Sequence, residues 1–112
     1  MTKNNYLKIS LLDDSNEKGS IYLTGNFNGW KPADERYQMI NASDNYYFID
    51  IPLALIPDET LDYKYTRGDW HSVELNSSGK HTPNRKWAKG MPEPKDTVNQ
   101  WLKDDDLNYT KF

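Results

Sequence analysis

Four side chains have the types and the spacing to hold a neutral polar molecule: Trp30, Lys64, Trp70 and Asn99. An indole offers a large flat apolar face, and such a face can stack on the C–H groups of a sugar ring. The ammonium of a lysine donates hydrogen bonds to hydroxyl groups, and the amide of an asparagine both donates and accepts them. These residue types suit a shallow binding surface, in which rigid aromatic side chains lose little conformational entropy.

The stretch TGNFNGWKP, residues 24–32, raises the question of which way Trp30 points. Its asparagines and glycines favour a turn, but Phe27 and Trp30 are costly to leave in water. From these residues alone, Trp30 either displays its ring to solvent or closes one end of a core. Trp70 directly follows a second turn, RGD, and Lys64 lies on the polar face of an alternating run.

Other patterns give little support for catalysis or metal binding. His71 and His81 do not form an H-x-x-x-H or H-E-x-x-H motif, and we expect ordinary loop or strand positions for both. There is no G-x-S-x-G nucleophile motif, and the carboxylates are scattered through turns. The sequence therefore predicts no catalytic residue, no metal site and no cofactor, and we expect a protein that is not an enzyme.

Composition limits the class of partner. The chain carries 14 basic and 17 acidic residues, a formal charge of −3, which argues against a nucleic-acid interface. No apolar run approaches the roughly 20 residues that a membrane helix needs, so we expect no membrane contact. Because the N-terminus lacks a signal-peptide pattern and the chain has no cysteine, we expect a cytoplasmic location.

Apolar and polar residues alternate in short runs that are separated by turn clusters, which is typical of strands with one buried face. Three runs give the predicted inward residues: Leu7, Ile9 and Leu11; Tyr47, Ile49, Ile51 and Leu53; and Leu61, Tyr63 and Tyr65. The last predicted strand is TVNQWL, residues 97–102. We predict one all-β antiparallel sandwich of seven to eight strands over residues 1–103, followed by a polar tail at 104–112.

The motifs and their order resemble those of starch- and glycogen-binding modules. IYLTGNFNGWKP resembles the V-Y-L-x-G-x-F-N-x-W opening of family 48 carbohydrate-binding modules, of the β subunit of AMP-activated protein kinase and, more distantly, of family 20 modules. FIDIPL resembles their L-D-L-P strand, LDYKYTRGDW their Y-K-F-x-x-D-G-x-W hairpin, and TVNQW their closing T-V-N-N. The matches span residues 20–101.

This resemblance implies an immunoglobulin-like (E-set) β-sandwich that binds an α-1,4-glucan such as starch or glycogen. It further implies that Trp30 and Trp70 stack on the sugar, while Lys64 and Asn99 bind its hydroxyl groups. Trp101 shares strand parity with Asn99 and is a fifth candidate for the binding surface. If Trp101 instead lies in the core, the assignment of Asn99 becomes weaker. We expect Trp87 to pack in the core.

One segment departs from the modules of the kinase subunit. TRGDWHSVELNSSGKHTPNRKW, residues 66–87, is similar to starch-binding-like domains attached to bacterial esterases and other hydrolases. Four of its residues are interpreted as a structural polar network: Arg67, Glu74, Asn84 and Arg85. Pairing of arginine with carboxylate would fix the loop 76–84, and a role in ligand binding is the alternative.

The sequence leaves three hypotheses open. The first is a non-catalytic carbohydrate-binding module for an α-glucan or a related glycan, whose catalytic partner is a separate enzyme. The second is a protein-interaction or scaffold module of the same fold without glycan binding, since a fold does not determine function. The third is a small hydrolase, for which the sequence names no carboxylate.

Overall fold

The computed structural model describes residues 5–103, which form nine β-strands. They are β1 (Tyr6–Asp13), β2 (Tyr22–Gly25), β3 (Ile40–Ser43), β4 (Tyr46–Pro52), β5 (Thr60–Thr66), β6 (Glu74–Leu75), β7 (Arg85–Ala88), β8 (Lys95–Val98) and β9 (Gln100–Trp101). Short 3₁₀ turns lie at Glu35–Tyr37, Leu53–Leu55, Pro57–Glu59 and Trp70–Ser72. Within residues 5–103 no helix has the length and apolar character needed to cross a membrane.

Two sheets make up the body of the fold. One has the strand order β3-β4-β1-β8, in which β1 runs antiparallel to β4 and parallel to β8. The other has the order β2-β5-β7 and is antiparallel throughout. A short ribbon of β6 and β9 continues from the end of β5 through an isolated bridge between Thr66 and Val73. The predicted all-β sandwich is confirmed, and its finer assignment as immunoglobulin-like (E-set) stays a prediction.

The core lies between the two sheets and is built mostly by the alternation seen in the sequence. The predicted inward residues that are buried are Leu7, Ile9, Leu11, Ile49, Ile51, Leu61, Tyr63 and Tyr65. Tyr47 is partly buried and packs against this core. Trp87, predicted to pack, is a member of the core, and its indole N–H donates to the carbonyl of Met91 at 3.2 Å.

The prediction for Leu53 was wrong. β4 ends at Pro52, and Leu53 begins a 3₁₀ turn, where the two-residue period of a strand no longer decides which way a side chain points. The side chain is consequently 37% exposed.

The last predicted strand is two strands. β8 ends at Val98 and pairs with β1, while β9 begins at Gln100 and pairs with β6. Asn99 lies between them, where the chain leaves one sheet and joins the ribbon. This break accounts for a count of nine strands in the described part of the chain, against the seven to eight expected. The predicted polar tail, residues 104–112, lies outside the described residues.

Gly25 ends β2 at a point where two backbones come very close. A Cβ atom at this position would lie 2.2 Å from the carbonyl oxygen of Asp62 and 3.1 Å from the Cα of Tyr63. Both of these atoms belong to the backbone of β5, and a backbone cannot move aside as a flexible side chain can.

We expect Gly25→Ala to lower the free energy of unfolding by about 3 kcal/mol, because the new methyl group overpacks the β2–β5 pair. Urea denaturation measures this loss. Gly29→Ala is the matched control, because Gly29 lies in the same loop with φ +69° and open space around a Cβ. In the control, the free energy of unfolding falls only by the cost of placing alanine in the left-handed region, about 1 kcal/mol. Equal losses in the two variants would contradict the close approach.

Candidate functional site

Trp30 lies in a tight loop after β2 that hydrogen bonds hold in place. Its backbone N–H donates to the carbonyl of Gly25 at 3.0 Å. The amide oxygen of Asn28 accepts from the N–H of Gly25 at 3.1 Å, and its amide nitrogen donates to the carbonyl of Lys31 at 3.2 Å. Trp30 has a φ of 61°, in the left-handed region that costs a residue with a Cβ about 1 kcal/mol or more. The loop therefore holds Trp30 in a backbone conformation that a free chain avoids.

Phe27, and not Trp30, is the aromatic residue of this loop that packs against the core. Its ring meets the ring of Tyr37 edge-on at 4.7 Å between centroids. Trp30 is half-buried. Of the two aromatic side chains in this loop, Phe27 packs against the core, and Trp30 keeps part of its surface in solvent.

Trp70 begins the 3₁₀ turn that follows β5, and its side chain is 39% exposed. The turn is closed by a reciprocal cap between Asp69 and Ser72. The Ser72 hydroxyl donates to the Asp69 carboxylate at 2.9 Å and accepts from the Asp69 backbone N–H at 3.3 Å. These bonds keep the backbone beneath the indole fixed while the ring faces solvent.

Lys64 lies on β5 directly opposite Thr24 of β2. Its ammonium donates to the carbonyl of Thr82 and, at 3.5 Å, to that of Pro83. Burial lowers the pKa of Lys64 below its ordinary value, and the negative charge of Glu74 acts in the opposite direction. An ammonium has three N–H donors, so one is left for another acceptor.

Thr66 connects the Trp30 loop with the turn that precedes Trp70. Its hydroxyl donates to the carbonyl of Pro32 and accepts from the backbone N–H of Gly68 at 3.3 Å. Thr66 and Lys64 lie on the same side of β5, because strand side chains alternate. The structure therefore brings the Trp30 loop, Lys64 and the Trp70 turn to one side of the β2–β5 pair.

Asn99 has a different set of neighbours. It is exposed, and its amide donates to the carboxylate of Asp14, just beyond the end of β1, at 3.4 Å. This contact ties Asn99 to the other sheet and not to β5.

The prediction that Trp101 extends the binding surface was wrong. Its side chain is 2% exposed and belongs to the core. The indole N–H donates to Asp13 and to Ser15, at 3.1 Å in each case, and the Arg67 guanidinium lies 5.3 Å from the ring centroid. Strand parity failed because the strand breaks at Asn99, so the faces of β8 and β9 are not continuous.

Glu74 and Arg85 form the centre of the predicted polar network. The Glu74 side chain is 0% exposed, and its carboxylate accepts from Nε of Arg85 at 3.0 Å and from Nη2 at 2.7 Å. It also accepts from the backbone N–H of Tyr65 at 3.1 Å. Burial opposes the charge on Arg85, but the hydrogen bonds and negative charge of Glu74 outweigh it and raise the pKa of Arg85 above its usual range.

The other two predicted members lie elsewhere. Arg67 pairs with Asp13 at 3.4 Å, away from Glu74, and Asn84 is exposed. A carboxylate that the sequence analysis did not single out, Asp96, completes the network instead. It accepts from the hydroxyls of Tyr63 and Tyr65, each at 2.7 Å, and lies 3.4 Å from Nη1 of Arg85.

The two tyrosines are strongly affected by this environment. Burial raises the pKa of both Tyr63 and Tyr65, and the negative charge of Asp96 raises both further. Their hydroxyls therefore stay protonated and donate to Asp96. The signal that could have pointed to Asp96 is two inward tyrosines on one strand, because a buried hydroxyl needs an acceptor.

The arrangement has limited means for catalysis. Within residues 5–103 no group of three or more His, Cys, Asp or Glu side chains could hold a metal ion. The buried carboxylate of Glu74 and the partly buried carboxylate of Asp96 accept hydrogen bonds from arginine and tyrosine. The remaining groups of the predicted site are the exposed indole of Trp70, the half-buried indole of Trp30 and the partly buried ammonium of Lys64. The indoles can stack on an apolar ring face, and the ammonium can donate hydrogen bonds.

Comparison with known proteins places the chain alongside short segments of two enzymes. It is 36% identical over 96 residues to an alpha-amylase of Niallia circulans, a match that covers 84% of this chain and 7% of the amylase. It is 31% identical over 97 residues to an amylopullulanase of Thermoanaerobacter thermohydrosulfuricus, covering 80% of this chain and 6% of that protein. The chain thus spans less than a tenth of either relative. No family model and no solved structure matches it.

We expect Arg85→Met to lower the free energy of unfolding by about 3 kcal/mol, because it leaves the Glu74 carboxylate buried without its cation. Chemical denaturation measures the loss. The neighbouring variant Lys86→Met is the control, since it breaks only an exposed pair with Asp62, and we expect about 0.5 kcal/mol or less. Similar losses at both positions would argue against a special role for the buried pair.

Asp34 gives a pH dependence to the end of the Trp30 loop. Hydrogen bonds from Arg36 lower the pKa of Asp34 from 3.8 to about 2, and Asn28 donates to the same carboxylate at 3.5 Å. A lowered pKa means that the stabilisation is present above pH 3.8 and is lost as the pH falls towards 2. We expect the unfolding temperature of Asp34→Asn to fall less than that of the wild type over this interval. Parallel falls would show that Asp34 contributes nothing.

Proposed function

We propose that the chain is a non-catalytic carbohydrate-binding module for an α-1,4-glucan of the starch or glycogen type. An alpha-amylase and an amylopullulanase each contain a segment similar to at least four-fifths of this chain, and the segment is less than a tenth of either enzyme. A small domain beside a polymer-degrading enzyme can keep the enzyme close to its substrate by binding the polymer. The finer assignment to family 48 or family 20 modules belongs to this proposal and rests on the resemblance of the motifs.

The observation that carries the proposal is the exposed indole of Trp70, which is 39% exposed on a capped turn that Thr66 links to the Trp30 loop. Hydrogen bonds between Asp69 and Ser72 order the turn beneath the ring, and an exposed aromatic side chain on an ordered turn suits contact with a ligand. In the proposed complex the two indoles stack on glucose rings, and the remaining N–H of Lys64 donates to a hydroxyl.

Asn99 has weaker support as a sugar ligand. The reasoning from sequence made its role depend on Trp101, and Trp101 is buried. Asn99 also donates to Asp14. The proposed site therefore consists first of Trp30, Lys64 and Trp70, with Asn99 as a residue that a longer glucan chain could reach.

The expected affinity is low. Each stacked ring contributes about 1 kcal/mol beyond the area that it buries, and a shallow site with two such contacts gives a dissociation constant in the micromolar to millimolar range. A second binding event, supplied by a linked or associated enzyme, raises the effective affinity without new contacts. An enzyme that acts on the same polymer is the proposed partner.

We expect Trp70→Ala to weaken maltoheptaose binding by about fivefold, because one ring stack is lost. Its unfolding free energy should change by about 0.5 kcal/mol or less, since the ring is at the surface. A two-dimensional NMR titration measures the affinity, and the shifts should cluster around Trp30, Lys64 and Trp70. Tyr46→Ala is the control, because Tyr46 is 55% exposed but lies on β4 of the other sheet.

The result also decides between this proposal and a protein-interaction module. That second function is favoured by exposed apolar side chains on the four-stranded sheet, where Tyr6 is 46%, Ile40 54% and Tyr46 55% exposed. If millimolar maltoheptaose shifts no resonance of the wild type, the glucan proposal is wrong and the interaction module remains. If Trp70→Ala unfolds the domain, Trp70 supports the fold and the stacking role fails.

A further inference from the structure

We propose that Thr66 is a positioning residue that couples the Trp30 loop to the Trp70 turn, so that the two indoles form one surface. The proposal rests on the proposed function for its biological meaning, but its geometry stands without it. It concerns how the two rings are held relative to each other and not which glycan they bind.

The hydroxyl of Thr66 is placed to do this. Thr66 is the last residue of β5, is 0% exposed and uses its single hydroxyl proton to donate to the carbonyl of Pro32. A lone pair of the same oxygen accepts from the backbone N–H of Gly68. One buried hydroxyl thus joins two segments that are otherwise held by separate sets of hydrogen bonds.

Each segment carries one indole close to this connection. Pro32 is two residues after Trp30, and Gly68 is two residues before Trp70. Two residues of extended chain reach about 7 Å, so each tryptophan backbone lies within that distance of a residue bonded to Thr66. A displacement of either segment at Thr66 therefore moves an indole.

The Trp30 loop needs such a connection. Its left-handed tryptophan, φ 61°, favours relaxation of the loop to another conformation. The bonds made by Gly25 and Asn28 fix the first part of the loop. The bond from Thr66 to Pro32 fixes its last part against β5.

The role of the side chain can be separated from the role of the strand. The backbone of Thr66 pairs with Tyr22 of β2 and forms the bridge to Val73. Neither pairing uses the hydroxyl. Thr66→Val has nearly the same shape and keeps the strand preference of a β-branched residue, so it removes the connection and leaves the ladder. Thr66→Ser keeps the hydroxyl.

The chain also supplies internal reporters. Its four tryptophans each give a separate indole N–H signal in NMR. Trp87 and Trp101 are buried, and their N–H groups donate to Met91 and Asp13 respectively. These two signals report on the integrity of the core. Those of Trp30 and Trp70 report on the proposed surface.

In the test without sugar, we expect Thr66→Val to move the indole signals of both Trp30 and Trp70, while that of Trp87 stays where it is in the wild type. Trp101 does not enter this comparison, because its ring lies 5.3 Å from the guanidinium of Arg67, the residue next to Thr66. Thr66→Ser should leave all four signals unchanged. Movement of the Trp87 signal together with the two surface signals, or of neither surface signal, would overturn the coupling. If Thr66→Val does not fold, Thr66→Ala removes the same hydroxyl without adding bulk and is read in the same way.

In the test with maltoheptaose, we expect Thr66→Val to raise the dissociation constant up to about fivefold, the loss expected for one ring stack, because the two stacks no longer form together, and Thr66→Ser to stay within about twofold of the wild type. Ile49→Val, in the core of β4, is the control for a loss of stability alone. Equal affinity in Thr66→Val and the wild type would refute the positioning role. A wild type that does not bind maltoheptaose would refute the proposed function, and the sugar-free measurement would still decide the coupling.

Discussion

The side of the molecule formed by β5 and β7 depends on the hydrogen bonds and the ion pair made by the buried carboxylate of Glu74. Strand β7 begins at Arg85, opposite Tyr63 of β5, so the β5–β7 pairing does not reach Tyr65, and the N–H of Tyr65 donates to the Glu74 side chain instead. The same carboxylate binds the guanidinium of Arg85. Because Arg85 lies two residues after Pro83, whose carbonyl accepts from Lys64 together with that of Thr82, the ion pair with Glu74 anchors the chain next to the segment that binds the Lys64 ammonium.

The two sheets contribute different kinds of side chain to the core. The four-stranded sheet supplies most of the aliphatic core, and β5 of the other sheet places tyrosines inward and polar residues outward. Inward hydroxyls meet Asp96 from β8, so the layers are joined by polar contacts as well as by apolar packing. A core joined in this way resists sliding of one sheet over the other. The sheet that contains β2 and β5 is thereby kept fixed against the other sheet.

The alternation in the sequence was sufficient to predict the sandwich and nearly all of its inward residues, because burial of one sheet face imposes a period of two. It failed at Leu53 and at Trp101, where a strand ends and the period ends with it. The pairing of Glu74 with Arg85 was predictable from charge and segment. The places of Arg67 and Asp96 were not, because they depend on which strands meet across the core, and sequence spacing carries no information about that.

The edge strands of the two sheets carry features that affect whether a strand of a neighbouring molecule can pair with them. Strand β7 is the outer strand of its sheet; Lys86 on this strand and Lys89, directly after it, form exposed ion pairs. At the opposite sheet, β3 has a register shift between Asn41 and Ser43. Charge and irregular pairing both hinder the addition of a further strand. Both features therefore disfavour the edge-to-edge joining of neighbouring copies into aggregates.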